Sequence, residues 1–464
     1  MIATSNGFSA AQPEVSAARA RFEHKKQALG ARIAAAGGAF SLRKRTASNL
    51  FRYTRRSGVP GAARLDLSGF NEIIGLDAAA GTLDVEGLAT FESIVDHCLP
   101  RGFAPLITPE LKHITLGGAS VGIGIESNCH KHGFVHDMLL EAEVLLPDGR
   151  IVLATADNEY ADLFRALGNS YGTLGYILRA KIRLMRAKPL VRLHTEEFGD
   201  VETFLEATRR ATEDEALDFV ETLMYAGVAG AAPRLLLITS RYEDAAPGKE
   251  PEDIVRRQVF YTRVSRPGTM LLAAKDYLFR YDPEWFWNIP ESLPYRLMRR
   301  YAPAAMRHSG FYKRWLHLQE RLGLKQNDGK ELLIQDWEVP WDKAAELLRF
   351  ALDNVYHDGK PWLSIEIRTP VAPTFYPLRP GTLYFNLGCY CRVRKSPEGD
   401  FHATRLLDRK CLDLGGIKML YSSSFMSEEE FDRVYNGPAQ RALKAKYDPA
   451  GRFPTLYQKC VKSV

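Results

Sequence analysis

The chain has 464 residues, 45% of them hydrophobic and 25% charged, which is the composition of an ordinary globular protein. This excludes disorder as the main state, and no apolar run approaches the roughly 18 residues that a membrane-spanning helix needs. The net charge of +6 is too small for this length to indicate nucleic acid by itself. We therefore expect a folded protein of two large domains.

The first predicted element is a basic helix within residues 1–39. Phe22, Leu29 and Ile33 fall on one side of this segment, and cations surround them. A helix packed over a domain edge and a helix lying on a membrane surface both fit this pattern. The N-terminus has no signal-peptide core and the six cysteines have no paired spacing, so we expect reduced thiols in a cytoplasmic protein.

Residues 40–189 predict a first domain in which short strands are broken by glycine and aspartate turns, at 77–81 and 147–149. Strands are expected at 65–69, 73–77, 82–86, 139–146 and 150–154, and helices at 90–101 and 157–167. This mixture indicates an α+β fold and not a regular β-α alternation.

Residues 190–440 predict a second domain of the same α+β type, and residues 441–464 a final segment. Strands are expected at 332–339, 363–368, 382–394 and 418–423, and helices at 201–213, 341–355, 402–414 and 427–446. Cys389 and Cys391 share one side of their strand with Phe385 and Leu387, so core packing is expected for both thiols.

A glycine-rich segment at residues 114–127 carries the strongest chemical signal. Glycine lets backbone N–H groups converge on an anion such as a pyrophosphate, and the hydroxyls between the glycines add donors. The spacing is neither a Rossmann fingerprint nor a P-loop, and a tight structural turn is the alternative. Two further segments, 43–49 and 168–175, also suit phosphate.

These segments and the C-terminal KYDPAGRFPTLYQK resemble the vanillyl-alcohol-oxidase, or PCMH, type of FAD-binding fold. The run GIES with HK-x-G after it, and motifs at 335–340, 387–390 and 419–431, are similar to the Δ24-sterol reductases. A bacterial branch, whose members reduce methylene-bearing or desaturate methyl-branched fatty acyl chains, is similar through RKRTASNLFR at 43–52.

The resemblance implies an FAD-binding domain of two α+β subdomains at 40–189 and an α+β cap domain for the substrate at 190–440. Residues 441–464 would return to the FAD domain. It implies FAD without a covalent bond, and no metal at the histidines near residue 130. The residues expected to bind FAD are Arg45, Thr46, Ser48, Asn49, Thr115, Gly117, Gly118, Ser120, Gly122, Gly124, Glu126, Ser127, His130, Gly172, Thr173 and Gly175.

Flavin chemistry on a carbon–carbon bond needs a hydride at one carbon and an acid or base at its neighbour. Polar positions on the second-domain strands offer that group, and the catalytic candidates are Glu366, Tyr384, Asn386 and Tyr421. The alternative is that these positions face solvent, or that Glu366 forms an ordinary ion pair with Arg368.

Residues 285–319 combine aromatic rings with cations, and residues 292–319 contain no Asp or Glu. Cations attract anionic headgroups and aromatic rings settle at the membrane interface, so this segment predicts contact with an anionic membrane surface. A surface segment of the cap and a nucleic-acid patch are alternatives, but no nucleic-acid motif accompanies it. A peripheral position on the inner face of the membrane is expected.

Together these features predict an FAD enzyme that reduces or desaturates a methyl- or methylene-branched fatty acyl chain in membrane phospholipid. A Δ24-sterol-type alkene reductase, a flavin oxidase of a polar alcohol or sugar, and a non-catalytic lipid-binding flavoprotein are the alternatives. The sequence leaves open the direction of the reaction and the identity of the electron donor or acceptor.

Overall fold

The computed structural model describes residues 11–36, 40–43, 63–227, 232–289, 292–303, 306–321, 329–355 and 359–462. Within them the chain forms an N-terminal unit (residues 11–186) and a cap unit (residues 190–426), each built on a sheet. Buried residues of both units join in one core cluster. The predicted α+β class is confirmed.

The N-terminal unit is built on an antiparallel sheet in the order β3-β4-β8-β6-β7, with β5 paired to the end of β8 and a separate parallel pair β1-β2. Its strands are β1 (Phe40–Arg43), β2 (Ala63–Asp66), β3 (Ile73–Asp77), β4 (Thr82–Glu86), β5 (Phe103–Pro105), β6 (Leu139–Leu145), β7 (Ile151–Thr155) and β8 (Tyr176–Arg186). Its helices are α1 (Ala11–Ala36), α2 (Phe91–Cys98), α3 (Leu116–Val121), α4 (Cys129–His132) and α5 (Ala161–Arg165).

Turn chemistry fixes the hairpin between β3 and β4. The Asp77 carboxylate accepts hydrogen bonds from the backbone of Ala79 and Ala80 at 3.0 and 2.9 Å, and Gly81 takes a left-handed φ of +62°. Only glycine adopts that φ without strain, so the turn predicted at 77–81 is confirmed.

Helix α1 packs on the sheet of the N-terminal unit. Phe22 and Leu29 are buried, and Lys25 and Lys26 reach the carboxylates of Glu86 and Glu143 at 2.8 and 2.6 Å. The apolar face of α1 is therefore covered, and these two lysines are paired. The structure supports a helix packed over a domain edge and not a helix lying on a membrane surface.

The cap unit is built on one antiparallel sheet in the order β12-β9-β11-β10-β14-β15-β13-β16. Its strands are β9 (Leu190–Phe198), β10 (Phe219–Tyr225), β11 (Arg234–Glu243), β12 (Gly268–Ala273), β13 (Lys330–Pro340), β14 (Trp362–Ser364), β15 (Tyr384–Arg394) and β16 (Ile417–Lys418). Its helices are α6 (Val201–Glu213), α7 (Phe260–Val264), α8 (Ala274–Leu278), α9 (Leu293–Tyr301), α10 (Ser309–Arg321), α11 (Ala344–Asn354) and α12 (His402–Asp413).

The two faces of the cap sheet pack against different parts of the protein. Phe385, Leu387, Cys389 and Cys391 pack with residues of α6, α11 and α12, as predicted for the two thiols. The alternate residues Tyr384 and Tyr390 belong to the core shared with the N-terminal unit, and we call theirs the inner face. All six cysteines are buried and unpaired.

Three C-terminal helices follow: α13 (Glu428–Val434), α14 (Gly437–Tyr447) and α15 (Leu456–Cys460). The last residues contact the N-terminal unit, because the Tyr447 hydroxyl donates to Asp162 at 2.5 Å and the Phe453 ring lies 5.2 Å from that of Phe40.

Several predicted boundaries are wrong. The helix predicted at 427–446 is two helices, because Asn436 has a φ of +54° and caps α14, whose first turn contains Pro438. The strand predicted at 418–423 ends at Lys418, and the one predicted at 363–368 ends at Ser364. The helix predicted at 157–167 is restricted to α5.

Among the described residues, no helix is both long enough and apolar enough to cross a bilayer.

Candidate active site

The first half of the glycine-rich segment is helix α3 and not a loop. The Gly117 N–H donates to the carbonyl of Gly87 at 2.7 Å, and a Cβ on Gly117 would lie 2.9 Å from that same oxygen. A Cβ on Gly124 would lie 2.6 Å from Cγ2 of Val135. These two glycines are therefore needed for contacts within the chain itself. Gly118 lies inside α3, and Gly122 follows its last turn.

The second glycine-rich segment lies against the first. The backbone N–H groups of Tyr171 and Asn169 donate to the carbonyls of Val121 and Gly122 at 2.7 and 3.3 Å. Gly172 has a φ of +73°, which favours glycine. The Thr173 hydroxyl donates to Ser170, and a Cβ on Gly175 would lie 2.7 Å from the carbonyl of Leu145. The fold thus brings together two segments that the sequence separates by about 45 residues.

Glu126 and Ser127 belong to a buried ion cluster between the two units. The Arg280 guanidinium donates to Glu126 at 2.8 Å and to both carboxylate oxygens of Glu221 on β10 at 2.8 and 2.9 Å. Ser127 donates to Glu126 at 2.6 Å and lies 3.2 Å from the hydroxyl of Tyr277. Burial raises the pKa of Glu221, while Arg280 opposes that shift. This cluster bridges the glycine-rich segment and the cap.

His130 lies on the short helix α4 and not on the extended segment that the sequence indicated. It is buried, and neither ring nitrogen has a hydrogen-bond partner among the described residues. Burial, with Lys131 nearby, lowers the pKa of His130 to about 3, so the ring is neutral. The other predicted cofactor residues, Arg45, Thr46, Ser48 and Asn49, lie outside the described residues.

The inner face of the cap sheet carries a carboxylate bound by two phenols. Asp336 on β13 accepts hydrogen bonds from Tyr390 on β15 at 2.9 Å and from Tyr421 at 2.5 Å, and the two phenol oxygens are 3.3 Å apart. Burial raises the pKa of Asp336 to about 6, although the phenols oppose the shift. A group with this pKa can give or take a proton near neutral pH.

A second carboxylate stands two residues further along β13, on the same face. Glu338 accepts from the Asn386 amide at 2.8 Å and from the hydroxyl of Tyr376. Burial, with the charge of Asp336 added, raises the pKa of Glu338 to about 8. Two interacting buried carboxylates of unequal pKa are a recurrent arrangement for acid–base chemistry.

Glu366 and Tyr384 are also buried in the cap. Glu366 accepts from Ser364 at 3.0 Å, and burial raises its pKa to about 7. The Tyr384 hydroxyl accepts from the backbone N–H of Arg379 at 3.0 Å. The solvent-facing alternative is wrong for Glu366, Tyr384 and Asn386, which are buried, and Tyr421 is partly buried. Among the described residues, the hydrogen-bond partner of the Glu366 carboxylate is Ser364, and Glu366 forms no ion pair with Arg368.

The sequence missed Asp336, Glu338 and Tyr376 as functional candidates. The available signal was the alternation in LLIQDWEVP, which puts two acids on one face of a strand whose neighbours are nearly all apolar. Arg280 left no such signal, since its partners are contributed by segments far away in the sequence.

Comparison with known proteins shows which proteins this chain is similar to. Residues 32–155 match the family described as FAD binding domain. Δ24-sterol reductase from Homo sapiens is 26% identical over 419 residues, covering 84% of this chain and 76% of the relative. The enzyme of that name from Pisum sativum is 24% identical over 445 residues, covering 86% and 76%. The crystal structure of 6-hydroxy-D-nicotine oxidase from Arthrobacter nicotinovorans covers 92% of this chain and 87% of its own with a TM-score of 0.53, at 16% identity, and so shares the fold.

The protein is an FAD-dependent oxidoreductase that is similar to the Δ24-sterol reductases.

The residues around the glycine-rich segments fit FAD. The side-chain oxygens of Thr108, Thr115 and Ser120 and the amide oxygen of Asn169 are buried without a hydrogen-bond partner among the described residues, as are both nitrogens of His130. Unsatisfied buried polar atoms are costly, and several of them in and around the glycine-rich segments call for a polar ligand. The phosphates, ribityl hydroxyls and ring edge of FAD would supply such partners.

Proposed function

We propose that this enzyme changes the saturation of a carbon–carbon bond in a phospholipid acyl chain, at a carbon that carries a methyl or methylene branch. The observation that carries the proposal is the buried Asp336–Tyr390–Tyr421 cluster on the inner face of the cap. The relatives are named for reduction of a sterol double bond, which is the same type of reaction. The resemblance of residues 43–52 to the bacterial acyl-chain branch supports the acyl substrate.

FAD, when bound, exchanges a hydride at its N5 with one carbon of the bond. Side chains of the protein transfer the proton to or from the neighbouring carbon. Because Tyr421 donates to Asp336, its oxygen can take a proton from the substrate while its own proton passes to the carboxylate. In the reducing direction Asp336 starts protonated, Tyr421 delivers the proton to one carbon, and C=C becomes CH–CH when the hydride reaches the other; desaturation is the reverse. The two electrons are exchanged with an electron donor or acceptor of unknown identity.

A branch suits this chemistry, because a branched alkene carbon best carries the positive charge that protonation of its neighbour creates. Aromatic faces stabilise a cation. Tyr390, which binds Asp336, stacks on Phe286 at 4.2 Å, so aromatic rings stand near the carboxylate.

We further propose that FAD is bound without a covalent bond and that Thr115 and Ser120 hold it. The double variant Thr115→Val/Ser120→Ala is expected to weaken FAD binding about tenfold, because each hydroxyl contributes about 0.5–1.5 kcal/mol. Titration of apoprotein with FAD, followed by flavin fluorescence, measures the change. Thr269→Val/Ser93→Ala, which alters two exposed hydroxyls outside the glycine-rich segments, is the control. Flavin retained in an acid-precipitated pellet would contradict the non-covalent assignment.

The protein is proposed to lie on the inner face of the membrane, in contact through α9 and α10. Leu293, Leu297 and Tyr301 form an exposed stripe on α9, and Trp315 and Leu318 are exposed on α10. The proposed membrane contact includes fewer residues than the predicted segment 285–319. Trp285, Phe286 and Trp287 are buried, and so are Arg299 and Arg307. A left-handed backbone at all three aromatic residues turns their rings into the shared core.

The function is tested by lipid analysis of cells with and without the gene, joined to stopped-flow spectroscopy of the purified holoenzyme. We expect deletion to change the ratio of methylene- or methyl-branched to unsaturated acyl chains, and the extracted phospholipid to reduce or reoxidise the flavin anaerobically. An unchanged acyl profile, with flavin that responds to a Δ24-sterol and not to phospholipid, would favour the sterol-type reductase that the names of the relatives suggest.

A further inference from the structure

A basic cleft of about 810 Å³ opens beside α9, away from the acid cluster. Four arginines line it: Arg234, Arg257, Arg296 and Arg299. Tyr225 at the end of β10 and Tyr261 on α7 complete its wall, and none of the described residues that line it is acidic. Such a cleft is suited to an anion.

The charge in the cleft is only partly neutralised by the protein. Glu197 binds Arg234 through two hydrogen bonds of 2.8 and 2.9 Å. Arg257 and Arg296 have no ion-pair partner in the described part of the chain. The Tyr225 hydroxyl is buried without an acceptor, and burial raises the pKa of this phenol, so it remains a donor. Two free guanidinium groups and a phenol are the kinds of donor that bind phosphate oxygens.

The surroundings of the cleft indicate an anion with an apolar tail. Arg296 lies on α9 between Leu293 and Leu297, which are 66% and 48% exposed. On the inner side, the ring of Tyr261 is 6.0 Å from Trp287, and Trp287 is 6.3 Å from Tyr390, which donates to Asp336. Trp287 therefore lies between the Tyr261 wall of the cleft and the tyrosine that binds Asp336.

We propose that this cleft binds the phosphate of a phospholipid headgroup. The site rests on the proposed function, since it takes the lipid that the enzyme would modify. With the phosphate held by Arg257 and Arg296, the exposed Leu293 and Leu297 of α9 would contact the acyl region of the lipid.

The test compares two double variants that remove the same charge. Arg257→Ala/Arg296→Ala removes the free cations of the cleft. Arg256→Ala/Arg266→Ala removes exposed arginines from positions next to cleft residues that do not line the cleft themselves. The probe is dihexanoyl-phosphatidylglycerol below its micelle concentration, titrated into holoenzyme by calorimetry. The first variant is expected to bind about tenfold more weakly and the second within about twofold of the wild type, because charge-assisted hydrogen bonds need the guanidinium in place.

Equal loss in both variants would overturn the proposal, since it would indicate general surface charge. Inorganic phosphate that binds as tightly as the short-chain lipid would also overturn it, because the cleft would then have no preference for a lipid. Flavin oxidation or reduction by phospholipid is recorded separately with the wild type. If lipid binds through the cleft arginines and no turnover follows, the proposed function fails and the headgroup site stands.

Discussion

Replacing Arg280 with methionine is expected to lower the free energy of unfolding by about 3–5 kcal/mol, because it leaves buried carboxylates without their counter-ion. Arg280 is fully buried, and its guanidinium is shared by Glu126 of the N-terminal unit and Glu221 of the cap. Chemical denaturation followed by tryptophan fluorescence measures the loss. FAD is expected to dissociate from the variant more readily, since the cluster anchors the end of the glycine-rich segment.

A surface pair supplies the matched control. Arg263 binds Glu252 through the same two-pronged geometry at 2.6 and 2.7 Å, but the pair is partly exposed. Arg263→Met is expected to cost no more than about 1 kcal/mol. A similar loss of unfolding free energy in both variants would mean that burial is not the reason why Arg280 contributes to stability.

The Arg280→Met variant is also expected to gain stability as the pH falls. Burial already raises the pKa of Glu221 above its unfolded value, and removal of the guanidinium raises it further. The folded state then binds a proton that the unfolded chain releases at about pH 4.3, so stability falls as the pH rises from there through the folded pKa. Denaturation curves at pH 5 and pH 7.5 test this sign.

Much of the proposed FAD site could be predicted from the sequence, because the glycine and hydroxyl pattern at 114–127 is local. The reason why each position needs glycine could not be predicted from the sequence. Gly117 and Gly124 are needed because Gly87 and Val135 approach them, and such contacts between separate segments leave no trace in spacing. The resemblance supplied the fold, and the structure adds that Glu126 binds an arginine of the cap.

The membrane segment and the acid cluster show where local patterns mislead. Trp285, Phe286 and Trp287 stand beside a basic stretch and so predict an interface, yet a left-handed backbone buries them. Asp336 stands in an apolar strand, and only the pairing of β13 with β15 brings Tyr390 next to it. The proposed function of Asp336 as an acid depends on burial, which the sequence does not specify.

Asp336→Asn is expected to slow the flavin half-reaction with lipid by about 10²- to 10⁴-fold, the usual contribution of a general acid or base. Tyr421→Phe is expected to give a loss of the same order, and the double variant little more, because both residues serve one proton transfer. Stopped-flow absorbance of the flavin under anaerobic conditions measures the rates. Asp282→Asn, which alters a buried aspartate bound to Ser309 and Lys112, is the control and is expected to retain the rate.

The pH profile then identifies the direction of the reaction. With a pKa of about 6, Asp336 is protonated below that pH and ionised above it. A reductase needs the proton on Asp336, so its rate falls as the pH rises through about 6; a desaturase needs the carboxylate, so its rate rises over the same range. This dependence of the rate on pH, whichever direction it takes, is expected to disappear in Asp336→Asn. The variant should be at least as stable as the wild type at pH 7, because a raised pKa costs the folded state stability above the unfolded value of about 3.9. If Asp336→Asn keeps both the wild-type rate and its dependence on pH, the proton transfer would be assigned to Glu338 or Glu366 instead.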